Sequence, residues 1–137
     1  MYWTAPNPHT TALDTRIPGG PAACGTARDI VERLVGDATP ADTLHDALLL
    51  TSELVTNAVL HGGVDETGVV DLHVASDPSL LRISVTDPGG ESTPAVQDLD
   101  VTVPGGMGLF LVEQISSRWG VDELRDGGTQ VWFELVP

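Results

Sequence analysis

Two alternating apolar runs, 69–75 and 80–87, are separated only by Ser76-Asp-Pro-Ser79. In the second run Leu81, Ile83 and Val85 point one way while Arg82, Ser84 and Thr86 point the other. A period of two, interrupted by turn residues, predicts an antiparallel hairpin with one buried face. The rest of the chain must therefore cover one side of a sheet.

The remaining segments supply that cover. Leu13, Thr15 and Ile17 alternate with polar neighbours and predict a short strand closed by Pro18-Gly-Gly-Pro21. Residues 22–35 carry Ala23, Ala27, Ile30, Val31 and Leu34 on one helical face. Thr39-Pro40-Ala-Asp42 predicts a second helix, with Thr39 as cap, Pro40 first in the helix and Asp42 facing back. That helix should run to His61 and stop at Gly62-Gly63. A third is predicted from Gly105 to Arg118, with Trp119 on its inner side, and a last hairpin over 120–124 and 129–136 turns at Asp126-Gly-Gly128. The order β-α-α-β-β-α-β-β predicts an α+β two-layer sandwich: a mixed, mostly antiparallel sheet with helices on one face. Residues 1–10 read as a tail and 11–137 as one domain.

Charge narrows the partners. The chain has six arginines, no lysine and 20 acidic residues, a formal charge of −14, which disfavours nucleic acid and anionic lipid. A P-loop is excluded, because it needs a lysine. A bound nucleoside triphosphate would depend on Mg²⁺ and backbone N–H groups to offset the repulsion. Cys24, the single cysteine, reads as a packing residue. The N-terminus has neither a basic nor an apolar leader region, so a cytoplasmic location is expected.

Three segments carry the chemistry. In the long helix Glu53, Asn57 and His61 recur at four-residue spacing, opposite a stripe of Leu44, Leu48, Thr51, Val55 and Val59. A polar stripe is by default a solvated face. Two details weigh against that reading: Leu50 and Leu54 flank the stripe, and a mid-helix asparagine without a task costs helix propensity. Asn57 offers a neutral oxygen suited to Mg²⁺, and Glu53 one turn earlier is placed to take a proton from a nucleophile. His61 reads as a hydrogen-bonder near the helix end. Asp87 ends a strand before Pro88-Gly89-Gly90. It suits the adenine amino group, with Gly89 letting backbone approach the ring. Gly105-Gly106-Met107-Gly108 opens a helix whose free N–H groups suit phosphate. Thr129 either supports Asp87 through its hydroxyl or simply begins the last strand.

In this order the segments resemble the GHKL ATPase superfamily and, within it, the bacterial anti-sigma-factor serine/threonine kinases. Ser52-Glu-Leu-Val-Thr-Asn-Ala-Val-Leu-His-Gly62 is similar to the family's N box, and Val85-Thr-Asp-Pro-Gly-Gly90 to its first glycine box. Gly105-Gly-Met-Gly-Leu-Phe-Leu-Val112 resembles the second, and Gly127-Gly-Thr-Gln-Val131 the closing segment. Glu91 stands where the first box usually has another glycine, and Pro104 where some kinases carry a basic residue. The resemblance implies a Bergerat-type ATP pocket with Glu53 as general base and Asn57 on Mg²⁺. Asp87 and Gly89 would hold adenine, and Gly106 to Leu109 the phosphates. It further implies phosphoryl transfer to a STAS-domain anti-anti-sigma partner, sequestration of a sigma factor, and often a homodimer. The alternative is a nucleotide-binding switch that regulates a partner without transfer. A histidine kinase is disfavoured, since the chain has no room for a phosphoacceptor hairpin and His45 lies on the nucleotide-side helix. Chaperone-like hydrolysis is disfavoured for want of a second domain to drive.

Overall fold

The computed structural model describes residues 10–88 and 106–137, with the backbone only at 106–108. In chain order the elements are β1 (Thr11–Pro18), α1 (Ala23–Val35), α2 (Ala41–His61), β2 (Val69–Asp77), β3 (Leu80–Asp87), α3 (Gly106–Ile115), β4 (Arg118–Glu123) and β5 (Thr129–Leu135). A 3₁₀ turn, Gly36–Ala38, joins α1 to α2 and is absent from the sequence-based expectation. The five strands form one sheet in the order β1-β2-β3-β5-β4, and all four pairings are antiparallel. Strand β5 thus lies between β3 and β4, and the connection through α3 steps over it.

The central hairpin forms where its alternation demands. Leu72 faces Val85 and Val74 faces Ile83 across β2 and β3. Asp77 closes the turn: its Oδ1 accepts the Ser79 hydroxyl at 2.7 Å and the N–H groups of Ser79 and Leu80 at 2.7 and 2.9 Å. These bonds, that from the Ser79 side chain foremost, hold the Asp77 carboxyl below its ordinary range. Inward side chains such as Leu72, Ile83, Val85 and Phe133 meet the helices in a single core with Val31, Leu50 and Leu54. Among the described residues no helix is long and apolar enough to cross a membrane.

The helix termini depart from expectation for identifiable reasons. Thr39 does not cap α2. Its hydroxyl donates to the Val35 carbonyl at 2.6 Å, so it finishes α1 instead. Pro40, with ψ at 145°, takes the cap position and has no side-chain acceptor for the first-turn N–H groups. Asp42 remains in the first turn, where its charge complements the helix dipole. Helix α3 stops at Ile115 rather than Arg118. The Ser116 N–H and hydroxyl both turn back to the Val112 carbonyl, and the Ser117 N–H goes across to the Glu134 carbonyl at 2.8 Å. Trp119 therefore belongs to β4, paired with Phe133, and not to a helix face.

The apolar face of α2 is also rotated from the predicted stripe. Its buried residues are Ala47, Leu50, Thr51, Leu54, Val55, Asn57 and Ala58. At 100° per residue these centre on Leu54 and Ala58, whereas Leu44, Leu48 and Val59 are only partly buried. Leu50 and Leu54 are the core of the helix, and the polar stripe runs along the margin of that buried arc. Leu54→Ala should accordingly cost about 2–5 kcal/mol of unfolding free energy in urea titration. Leu48→Ala should cost less than half as much, and equal losses would restore the predicted stripe.

Candidate functional site

Rotation of the buried arc puts Asn57 inside. It is 1% exposed, and among the described residues neither its Oδ1 nor its Nδ2 has a hydrogen-bond partner. A buried amide left unpaired costs about 1–3 kcal/mol, so the fold carries a group whose partner is not supplied by the described protein. Glu53 precedes it by one turn and is half-buried. Partial burial pushes the Glu53 carboxyl above the ordinary glutamate value. His61 ends the helix, half-buried and engaged in an interaction.

The helix end leads directly to the second segment. Asp87 is the last residue of β3, 3% exposed and already engaged. Gly62, just beyond α2, packs so closely on it that a Cβ there would lie 2.9 Å from the Asp87 Cγ. Gly128 approaches from the other side, where a Cβ would lie 2.8 Å from the Asp87 carbonyl oxygen. Thr129, 2% exposed, is the register partner of Asp87 across β3 and β5. The fold therefore brings together the C-terminal end of α2, the end of β3 and the start of β5. In the sequence Gly62 reads as a helix stop and as the last residue of the N-box resemblance, and neither reading tells of its contact with Asp87. A glycine one residue ahead of the glycine that turns the chain was the available signal.

The third segment is described in part. Helix α3 begins at Gly106 and packs on α2. The first-turn N–H groups of Gly106, Met107 and Gly108 have no carbonyl within the helix to bond. Leu109 sends its side chain into the core at 3% exposure, so only its backbone faces the helix start. Gly89 and Gly105, and with them Glu91 and Pro104, lie outside the described residues.

Cavity size does not identify this site. A concavity of about 490 Å³ lies on the sheet face away from the helices, lined by Asp14, His73, Arg82 and Gln130 among others. Its charged groups are satisfied: His73 pairs with Asp14 at 3.3 Å and Arg82 with Glu134 at 2.9 Å. A second, of about 280 Å³, lies between α1 and α2 around Cys24, Thr56 and Leu60. There the Cys24 Sγ already bonds Thr56 Oγ1 at 3.1 Å, as fits a packing residue. Neither concavity is lined by Glu53, Asn57 or Asp87. An unpaired buried amide is a stronger mark of a ligand than an open hollow whose polar groups are paired.

The orphaned amide also tests the fit of a divalent ion. Its oxygen is a hard neutral ligand, of the kind that holds Mg²⁺ alongside substrate phosphates and waters. Among the described residues no cluster of three or more His, Cys, Asp or Glu could hold a metal by itself.

The family model for the histidine kinase-like ATPase domain matches residues 17–135. Among solved structures the chain is similar to one holding the RsbU and RsbW domains of Rv1364c from Mycobacterium tuberculosis. The TM-score is 0.66 at 24% identity, over 96% of this chain and 33% of that one. The present chain thus spans a third of the length of that relative, and at this identity the likeness speaks for the fold. No curated protein matches.

If the Asn57 amide is kept for a ligand and not for packing, Asn57→Leu should leave the nucleotide-free protein as stable as before. It could gain up to about 1–3 kcal/mol by removing the unpaired groups. Calorimetric unfolding without nucleotide measures this, and a clear loss of stability would assign the amide to the fold.

Proposed function

The chain belongs to the histidine kinase-like ATPase family, which implies ATP as its ligand, and from that premise we propose that it is an ATP-dependent serine/threonine protein kinase of the anti-sigma-factor type. Its substrate on this reading is a small STAS-domain anti-anti-sigma protein, and it also sequesters a sigma factor. The observation that carries the reading is the pairing of Glu53 with Asn57. A half-buried carboxylate with a raised pKa stands one helical turn from a buried amide that has no partner among the described residues. Binding alone needs no base, so Glu53 favours transfer. The likeness to a chain containing an RsbW domain, and the N box and glycine boxes quoted above, support the kinase type.

Each group has a separate task. Asp87 accepts a hydrogen bond from the adenine amino group, and the oxo group of guanine would meet the carboxylate lone pair to lone pair. The first-turn N–H groups of α3 hold phosphate oxygens. Asn57 Oδ1 would hold Mg²⁺, which supplies positive charge against the phosphates of the bound nucleotide. Glu53 takes the proton from the acceptor hydroxyl as that oxygen bonds the γ-phosphorus and the bond to ADP breaks. The domain of this activity is residues 11–137.

The test uses labelled ATP and a purified STAS partner. Glu53→Gln should keep nucleotide affinity and lose transfer about 10²–10⁴-fold; retained transfer would remove Glu53 from the mechanism. An unlabelled partner beside wild-type protein that binds ATP would favour the binding-only switch.

Titration adds a second check. Only the ionised Glu53 carboxylate can accept a proton, and its folded pKa is raised. The transfer rate should therefore fall as pH drops through a value above that of an ordinary glutamate. Without an acidic limb in the pH–rate profile, Glu53 would not be the base. Asn57→Ala should weaken Mg²⁺-dependent ATP binding in calorimetry by at least about tenfold, or ~1.4 kcal/mol. Unchanged affinity would return the helix stripe to a packing role.

A further inference from the structure

Two consecutive glycines follow α2, and they do different things. Gly63 has φ +65°, the left-handed value that ends a helix, and nothing lies within 4 Å of where its Cβ would be. The Val64 N–H returns to the Val59 carbonyl at 3.1 Å, closing the turn around Gly63. Gly62 has φ −81° and ψ −11°, a conformation open to any residue. Backbone freedom does not explain glycine at 62. Close approach does: a Cβ there would lie 2.9 and 3.1 Å from the Cγ and Cβ of Asp87 and would also meet the Ala58 carbonyl oxygen.

Gly128 has a matching relation to the main chain of Asp87. Its Cβ would lie 2.8 Å from the Asp87 carbonyl oxygen and 3.1 Å from Asp126 Oδ1. The turn that carries Gly128 is held by its own N–H donating to Asp126 Oδ1 at 2.9 Å and by Leu124 N–H to the Gly128 carbonyl at 2.7 Å. One glycine bounds the Asp87 side chain and the other its main chain. Real Cβ atoms essentially never stand this close to another atom, so neither position accepts alanine unless Asp87 or its neighbour shifts.

We infer that Gly62 and Gly128 are specificity-determining positioning residues: by bringing the α2 and β5 ends onto Asp87, they set where its carboxylate stands and so the choice of adenine over guanine. The inference rests on the reading of Asp87 as the adenine acceptor. A hydrogen bond between a buried carboxylate and an amino group depends on heavy-atom separations of about 2.7–3.2 Å. A displacement of even half an ångström is therefore felt by ATP. GTP makes no such bond and is affected much less.

The experiment compares Mg²⁺-ATP and Mg²⁺-GTP affinities by calorimetry on the full chain, with thermal unfolding recorded for each variant. Wild-type protein should prefer ATP, and Asp87→Asn should abolish the preference. A wild type without preference, or one indifferent to Asp87→Asn, overturns the underlying reading. With that reading intact, Gly62→Ala and Gly128→Ala should each lower the ATP-to-GTP ratio by at least about tenfold. Gly63→Ala, strained in its backbone but clear of Asp87, should lose stability and keep the ratio within about twofold. If Gly62→Ala does not fold, the ratio in Gly128→Ala decides. Alanine variants that fold and retain the wild-type ratio overturn the positioning role while leaving Asp87 as the reader.

Discussion

The seating of α2 on the sheet is the contact on which the rest depends. Ala47, Leu50, Leu54 and Ala58 set its rotation, since each is at most 4% exposed and each must meet the sheet or its neighbouring helices. Once that rotation is set, Asn57 is carried below the surface and Glu53 to its margin. The helix end is carried onto Asp87. No side chain of the site chooses its own depth. The burial of Asn57, with both amide atoms unpaired among the described residues, is tolerable because a core of leucine, valine and isoleucine on three helices and five strands supplies the opposing free energy. A site can hold an unsatisfied group only where the surrounding packing over-determines its place.

Electrostatics separates the two faces of the sheet. Of the six arginines, Arg16, Arg82 and Arg118 project from strands, where they pair with Asp71 and Glu134. Arg82 lies 4.1 Å over the Trp132 ring, and that indole packs against Gly120, where a Cβ would fall 2.7 Å from it. These cations are engaged on the face away from Glu53 and Asn57. With no lysine in the chain, the proposed ATP site would rely on helix N–H groups and a divalent ion to offset the phosphates. That division follows from composition and topology together. Three of the six arginines stitch the sheet, while Arg33 pairs with Asp29 along α1.

Much of the fold was legible in the residues. The 69–87 hairpin was read correctly because a period of two admits one pairing that buries Leu72, Val74, Ile83 and Val85 together. The order of helices and strands followed from the same patterning. Helix termini were less legible. Thr39 and Ser116 each have a side chain that can serve either end of a helix, and the choice was made by which carbonyl lay nearest: Val35 for Thr39, Val112 for Ser116. The rotation of α2 was misread because Leu44, Leu48 and Val59 extend the buried Thr51 and Val55 into as regular a stripe as the true one. A helix flanked by α1 on one side and the sheet on another is apolar over a wide arc, and periodicity cannot say which part faces inward.

By itself, the sequence determined the element order, the one-sided sheet, the lysine-free charge balance and the identity of the glycine, carboxylate and amide groups. These are local properties, set by spacing along one chain and by the chemistry of single residues. Tertiary structure decided which of those groups meet. It buried the Asn57 amide without a partner among the described residues, laid Gly62 and Gly128 against Asp87, and put Thr129 opposite it in register. Such contacts join segments remote in the chain. Their distances depend on how the whole core closes, and no stretch of residues encodes them alone.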